Sequence, residues 1–378
     1  MKKAFEPLFE TLKLPNGLEL RNRFVLAPLT HESSNDDGTI NDDVITYMAQ
    51  RSSDVSLALT AASNVTDLGK AFPGQPSVAH DSDLEGLTKL ATAMKQNGAK
   101  AIIQIHHGGV QSLLRLTPNG DVAGPSPITM KSYDETQPHD AREMTKTEIL
   151  DTITAFGEAT RRAIQAGFDG VEIHGANHYL IQQFVSPYYN RRNDEWGTDR
   201  FKFPLAVIDE VIRTVKSHDL ENFIVGYRFS PEEPEDGGIT MEITESLIKQ
   251  LREQPLDYLH VSLMDVHSQT REGKYTGEER IKLLHGWING RMPLIGIGSI
   301  FTAEEALEAI ESPYIEMIAL GRELLIDHNF VNKIVNGKDE TIISEFDEDR
   351  QDKHDLPPKL WKRLNDDFYP VPRKKQWS

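Results

Sequence analysis

The length, composition and charge of this chain exclude several classes of protein. Its 378 residues contain no cysteine, which excludes disulfides, cysteine-ligated zinc or iron–sulfur sites and cysteine nucleophiles. The formal charge of −18 argues against nucleic-acid binding, because that function needs a basic face. The first residues lack the apolar core of a signal peptide, and no run approaches the ~20 apolar residues of a membrane span, so we expect a cytoplasmic protein without a membrane partner.

Short, mostly apolar runs recur along the chain and predict parallel strands that are buried on both faces. The runs are Arg23–Pro28, Val55–Ala61, Lys100–Ile105, Gly170–Ile173, Phe223–Phe229, Asp257–Ser262, Pro293–Ile297 and Ile315–Leu320. Amphipathic helical patterns separate them. This alternation favours an α/β fold, a single (β/α)8 TIM barrel, and leaves an open doubly wound sheet as the alternative.

Three helix starts carry the spacing of a capping box, namely Ser82–Glu85, Thr145–Glu148 and Thr302–Glu305. An apolar stripe with a period of 3.6 residues follows Thr145, and Gly167 stands where a helix C-terminus favours a left-handed residue.

The end of the chain differs from the rest in composition. We assign residues 1–340 to the barrel and 341–378 to a C-terminal extension, which is first acidic and then rich in proline, lysine and arginine. Such a segment is expected to wrap the barrel or to reach a neighbouring subunit.

Unusual polar and small residues collect where the predicted strands end, which is where (β/α)8 enzymes place their active sites. They include Thr30 after the first strand, Gln104 in the third, and a run from His174 to Tyr179 after the fourth. The ends of the last two strands are the usual phosphate position of this fold, and Arg322 would add a fork-shaped cation there.

Several motifs resemble those of the Old Yellow Enzyme family of FMN-dependent NAD(P)H oxidoreductases, the ene-reductases. They are APLTHESS, IIQIHHGG, GPSPI, AGFDGVEIHGANHYLIQQFVSPYYNRRNDEWGTDR, GIGSI and IALGRELL. The resemblance covers about residues 5–335, and the motif around the fourth strand is the most specific.

The resemblance implies FMN as cofactor and NADH or NADPH as reductant. Thr30 would hydrogen-bond the flavin near O4, Gln104 would bind its pyrimidine edge, and Arg228 would stabilise the negative charge of the reduced ring. The residues implied to bind the cofactor are Pro28, Leu29, Thr30, Ala62, Gln104, Arg228, Gly298, Ser299, Gly321 and Arg322.

The resemblance also implies the catalytic residues. His174 and Asn177 would hydrogen-bond the carbonyl oxygen of a small α,β-unsaturated substrate, which prepares its β-carbon for hydride. Tyr179 would give a proton to the α-carbon. Quinones and nitro compounds are further candidate substrates, and the family favours a homodimer or homotetramer.

The histidines allow one alternative function, and two residues depart from the family pattern. His106, His107, His174 and His178 could instead form the metal site of a TIM-barrel hydrolase, although no acidic partner motif stands out. Glu32 stands where one branch of the family has Tyr, and Val110 where Arg is frequent, so we expect both to alter the walls of the substrate pocket.

Overall fold

The computed structural model describes residues 1–133 and 135–374, so the last four residues of the predicted extension lie outside the described part. Eight parallel strands occupy the centre of the fold, each at or near a predicted run. They are β1 (Phe24–Leu26), β2 (Leu57–Leu59), β3 (Lys100–His106), β4 (Gly170–Gly175), β5 (Ile224–Phe229), β6 (Tyr258–Val261), β7 (Leu294–Ile297) and β8 (Met317–Leu320).

Every strand pairs in parallel with the next, and β8 returns to pair with β1. The sheet therefore closes, which confirms the predicted (β/α)8 barrel and excludes the open sheet. The register places Glu172 of β4 beside Gln104 of β3, His174 beside Arg228 of β5, and Arg228 beside His260 of β6. Polar residues of four adjacent strands thus meet at one end of the barrel.

Helices follow the strands and surround them. In the described residues, none of these helices is both long and apolar enough to cross a membrane. The α-helices are Asp42–Arg51, Leu84–Lys95, Lys146–Gln165, Leu180–Val185, Glu195–Thr198, Lys202–Ser217, Met241–Leu251, Arg280–Ile288, Ala303–Glu311, Arg322–Ile326, Phe330–Val335 and Pro358–Asn365. Short strands add an antiparallel pair before β1, Leu12–Lys13 with Glu19–Leu20, and a small sheet after β3 formed by Ala123–Gly124, Ile128–Met130 and His139–Glu143.

The capping boxes at Thr145 and Thr302 are present, and Gly167 has a φ of +83°, as predicted. The prediction of a capping box at Ser82–Glu85 is wrong. A 3-10 turn, Asp81–Asp83, precedes the helix Leu84–Lys95. The helical segment therefore begins earlier than predicted, and its capping box is formed by His80 and Asp83. The Asp83 carboxylate accepts from the backbone N–H of His80 at 3.0 Å and from the Ser77 hydroxyl at 2.7 Å.

The apolar core has two layers. Outside the strands, helix stripes pack on the barrel; Ile149, Phe156 and Val211 are fully buried there. Inside the strands, side chains such as Val25 and Ile295 fill the barrel as a separate cluster. This filling is typical of the fold, in which the barrel is a packed core and the chemistry takes place at its rim.

The described part of the extension packs on the barrel of its own chain. The Tyr369 hydroxyl donates to the backbone carbonyl of Thr30 at 2.9 Å, and Arg363 of the helix Pro358–Asn365 pairs with Glu32 at 3.0 Å. Backbone hydrogen bonds join Phe346 to Pro372 and Lys374, which closes the extension into a loop. It therefore lies over the loop that follows β1.

Gly226 of β5 generates a stability prediction. A Cβ at this position would lie 2.1 Å from the ring of Tyr258, which is fully buried inside the barrel. Because the ring has no space to retreat, Gly226→Ala should lower the free energy of unfolding by about 2–3 kcal/mol. Chemical denaturation measures this difference.

The matched control is Gly286→Ala, at an exposed position of the helix Arg280–Ile288, where nothing lies within 4 Å of the added Cβ. That substitution should stabilise the protein by roughly 0.5–1 kcal/mol, since alanine is the better helix former. Equal effects at the two positions would contradict the packing of Tyr258 against Gly226.

Candidate active site

A cavity of about 730 Å³ lies at the C-terminal ends of the strands. Its lining brings together most of the predicted site residues: Pro28, Leu29, Thr30, Asn177, Tyr179, Arg228, Gly298, Ser299, Gly321 and Arg322. The other three are buried. Ala62 packs in one cluster with Tyr179, the His174 ring lies 5.2 Å from the Tyr179 ring, and Gln104 is bonded to Glu172.

Glu172 is the buried anion beneath this cavity. Gln104 Nε2 donates to its Oε1 at 2.7 Å, and His260 Nδ1 lies 2.9 Å from its Oε2. Burial opposes the charge, but the charges of His260 and Arg228 and the two hydrogen bonds outweigh it and lower the pKa of Glu172. The carboxylate is therefore ionised and counterbalances the buried Arg228.

A chain of hydrogen bonds leads from Arg228 to Asn177. Arg228 Nη2 donates to Ser262 Oγ at 3.2 Å, and Ser262 Oγ donates to Asn177 Oδ1 at 2.8 Å. The backbone N–H of Asn177 donates to Ser230 Oγ at 2.9 Å. Asn177 has a φ of +57°, in the left-handed region that asparagine tolerates better than most residues.

His174 is 3% exposed, and burial together with the charges of His106 and Arg228 holds its pKa well below the ordinary value. Its ring is therefore uncharged at neutral pH. Among the described residues, no hydrogen-bond partner is found for His174 Nδ1 or for Arg228 Nε, although both atoms are buried. A buried polar atom without a hydrogen-bond partner destabilises a folded protein. The presence of two such atoms, His174 Nδ1 and Arg228 Nε, therefore fits a site whose ligand supplies the missing partners.

Tyr179 lies between the histidines and the cavity. Its ring stands edge-on to His106, with centroids 4.2 Å apart, and to His174. His106 is itself fixed by Gln75, whose Nε2 lies 2.9 Å from His106 Nδ1. The phenol is thus held at the cavity wall by packing on one side.

The loop after β7 and the start of the helix after β8 form a separate corner of the cavity. Gly298 has a φ of +123°, and a Cβ there would lie 2.6 Å from backbone atoms of Met264 and Asp265, so only glycine fits. Arg322 bonds the Met264 carbonyl at 3.0 Å, the Pro370 carbonyl at 2.9 Å and Ser299 Oγ at 3.3 Å. All three acceptors are uncharged, so the guanidinium keeps its positive charge for an anion.

The four histidines of the metal alternative do not converge. His107 Nδ1 accepts from the Gly109 N–H at 3.0 Å, and His178 Nδ1 lies 2.8 Å from the Tyr133 hydroxyl. Within the described residues, no group of three or more His, Asp or Glu side chains could hold a metal ion. The hydrolase alternative is therefore unsupported.

The expectation that Glu32 and Val110 alter the substrate pocket is wrong for the described cavity wall, which contains neither residue. Glu32 pairs with Arg363 beneath the extension, and Val110 packs in a small cluster with Tyr189. The environment of each residue is set by a partner that is far away in the sequence, Arg363 for Glu32 and Tyr189 for Val110, so no local sequence pattern could predict it.

Sequence reasoning also missed cavity residues. Ser262, Phe301, Phe368 and Tyr369 line the wall, and His260 lies beneath it. A signal existed for two of them, because His260 and Ser262 are two residues apart at the end of β6 and alternation puts them on one face. No comparable signal marks Phe368 and Tyr369, which arrive from the extension.

Comparisons with known proteins identify the family of this chain. A family model described as "NADH:flavin oxidoreductase / NADH oxidase family" matches residues 7–341. The probable NADH-dependent flavin oxidoreductase YqiG of Bacillus subtilis (strain 168) is 46% identical over 367 residues, which cover 96% of this chain and 97% of that protein.

Two further comparisons extend the match. The NADH:acrylate oxidoreductase of Vibrio harveyi is 38% identical over 95% of this chain, which spans 36% of that protein's length. The structure of an Old Yellow Enzyme homologue from Zymomonas mobilis superposes with a TM-score of 0.78 at 22% identity, covers 94% of this chain and 98% of that one, and thereby shows the same fold. The family model matches nearly the whole barrel. This chain therefore belongs to the NADH:flavin oxidoreductase / NADH oxidase family and is an NAD(P)H-dependent, FMN-binding oxidoreductase.

Proposed function

We propose that the protein reduces the activated C=C bond of small α,β-unsaturated carbonyl compounds. The observation that carries this proposal is the convergence of Asn177, Tyr179 and the buried His174 beside one cavity, whose other walls contain Arg228 and Arg322. One relative is named for acrylate, whose alkene is also activated by a carbonyl group, although this chain matches only 36% of that protein.

The residues present fit FMN. Pro28 and Leu29 offer an apolar surface, and Gln104, with one N–H donated to Glu172, keeps its carbonyl oxygen for a ring N–H. Arg228 would face the N1/O2 side, Thr30 the O4 side, and the corner of Gly298, Ser299, Gly321 and Arg322 would hold the phosphate. When bound there, FMN would supply the hydride-transfer chemistry that links NADH or NADPH to the β-carbon of the substrate.

The protein side chains then act on the two other reacting atoms. Asn177 and neutral His174 would donate hydrogen bonds to the carbonyl oxygen, where negative charge grows as the β-carbon is reduced. Tyr179 would release its proton to the α-carbon, which completes a net addition of two hydrogens. Asn177 and Tyr179 line the same cavity, as these roles require.

The proton-donor role of Tyr179 is tested by Tyr179→Phe. We expect turnover of 2-cyclohexenone to fall roughly 100-fold, because general acid catalysis contributes about 10²–10⁴. Flavin reduction by NAD(P)H should change less than about twofold, since that half-reaction needs no proton at the α-carbon. Stopped-flow absorbance separates the two half-reactions, and chromatography identifies the saturated ketone.

Tyr133→Phe is the matched control, because Tyr133 lines the same cavity, but its hydroxyl contacts His178 at 2.8 Å and the backbone carbonyl of Asn177 at 3.4 Å and has no part in the proposed proton transfer. It should leave both half-reactions nearly unchanged. An equal fall in the two half-reactions of Tyr179→Phe would reject the proton-donor role. A protein that takes up FMN and oxidises NAD(P)H but reduces no enone would reject the proposed substrate class.

The phosphate corner is tested by Arg322→Ala. Loss of a charge-assisted hydrogen bond should weaken FMN binding by about 1.5–3 kcal/mol, whereas riboflavin, which has no phosphate, should bind as it does to the unaltered protein. Quenching of flavin fluorescence measures both affinities. Arg213→Ala, on the exposed face of the helix Lys202–Ser217, removes the same charge away from the cavity and should change neither. Equal weakening of FMN and riboflavin would place the phosphate elsewhere.

Glu323 follows Arg322 and generates a pH prediction. Burial, with a contribution from Asp327, raises the pKa of Glu323 to about 10, so the carboxyl is protonated and does not compete with a phosphate for Arg322. The native state thus holds a proton that the unfolded chain releases near pH 4.5, and stability is lost as the pH rises from there towards 10. Glu323→Gln removes this loss.

We therefore expect Glu323→Gln to stabilise the protein by roughly 1–3 kcal/mol at pH 9 and far less at pH 5. Denaturation at several pH values measures the difference. Glu304→Gln, on an exposed position of the neighbouring helix Ala303–Glu311, should give no such trend. A pH-independent difference for Glu323→Gln would mean that Glu323 ionises normally.

A further inference from the structure

We infer that Ser262 is a positioning residue that fixes the orientation of the Asn177 side-chain amide, so that Asn177 presents an N–H donor and not an oxygen to the substrate. This inference rests on the proposed function, since it concerns the oxygen-binding half of the same site. Ser262 follows β6 and lines the cavity together with Asn177 and Arg228.

The direction of the first hydrogen bond follows from chemistry. Arg228 Nη2 lies 3.2 Å from Ser262 Oγ, and a guanidinium can only donate. Ser262 Oγ is therefore an acceptor in this contact. Burial lowers the pKa of Arg228, and the ionised carboxylate of Glu172, two residues before His174, acts against this and supports the charge of the guanidinium.

The direction of the second hydrogen bond follows from the first. With its oxygen accepting from Arg228, the Ser262 hydroxyl has its single proton left to donate. The structure places Asn177 Oδ1 2.8 Å from Ser262 Oγ, where it accepts that proton. Geometry alone would not distinguish the amide oxygen from the nitrogen, because the two have nearly the same shape. The donor-only guanidinium favours the oxygen, because it uses a lone pair of Ser262 Oγ and leaves the hydroxyl proton for an acceptor.

The consequence for Asn177 is a fixed donor. With Oδ1 held by Ser262, the Nδ2 group and its two hydrogens point away from Ser262. The backbone of Asn177 is held separately, by its N–H bond to Ser230 and by its left-handed φ of +57°. Two serines from neighbouring strand ends thus fix one residue: Ser230 holds its backbone and Ser262 its side chain.

Without the Ser262 hydroxyl, nothing in this set of contacts would favour one amide orientation over the other. A rotation of half a turn would place the amide oxygen against the substrate oxygen, and two acceptors repel each other. Loss of one oriented hydrogen bond corresponds to about a tenfold loss of affinity, or about 1.4 kcal/mol.

The experiment measures the affinity of the FMN-loaded protein for 4-chlorophenol, whose oxygen stands in for the substrate carbonyl, by the change in the flavin spectrum. Ser262→Ala should weaken binding about tenfold, and Ser262→Thr, which keeps the hydroxyl, should stay within about threefold of the unaltered protein. Ser112→Ala is the matched control, because that buried hydroxyl has no hydrogen-bond partner among the described residues. The thermal midpoint of each variant shows that it is folded.

A double-variant cycle separates positioning from a general structural effect. If Ser262 acts through Asn177, the loss caused by Ser262→Ala should shrink to less than twofold in an Asn177→Ala background. The same tenfold loss in both backgrounds, or affinity of Ser262→Ala within twofold of the unaltered protein, overturns the inference. Failure of the unaltered protein to bind the phenol would instead overturn the proposed function.

Discussion

The ionised carboxylate of Glu172 is the interaction on which the polar end of this barrel depends. A buried charge is tolerated only when it is paired and hydrogen-bonded, and Glu172 obtains its partners from three other strands: Gln104 from β3, Arg228 from β5 and His260 from β6. The requirement is mutual, since Arg228 would be an equally costly isolated cation. The hydrogen bonds of Glu172 therefore join the ends of β3, β4 and β6, and the loops that carry Asn177 and Ser262 start from β4 and β6.

The site also resolves a conflict between the charge of the whole protein and that of its ligands. A net charge of −18 repels anions such as FMN and NAD(P)H at long range. Inside the cavity the balance is reversed. Among the described residues Arg322 donates to uncharged oxygens, Glu323 is protonated, and the charge of Glu172 is counterbalanced by Arg228. Recognition of the anionic groups must therefore act over short distances, through specific donors.

The sequence predicts features that local chemistry determines. The apolar runs locate the eight strands because strands buried on both faces have no polar period, and the motif that includes His174, Asn177 and Tyr179 is contiguous. Features that depend on residues far away in the sequence are not predicted. Glu32 pairs with Arg363, which is far away in the sequence. Ser262 gains its role from hydrogen bonds to Arg228 and Asn177, which lie on other strands or loops. The helix predicted to start at Ser82 is preceded by a turn that Asp83 stabilises.

The contact between Tyr369 and Thr30 joins two residues that are 339 positions apart at the wall of the cavity. Chains are synthesised from the N-terminus, so the barrel strands and the loop of Asn177 leave the ribosome well before the segment that closes the wall. Until Tyr369 has been made, that side of the cavity is open to solvent and Arg322 lacks the carbonyl of Pro370. Completion of the pocket, and with it the full set of contacts around the phosphate corner, therefore has to wait until the strands of the barrel have all been made.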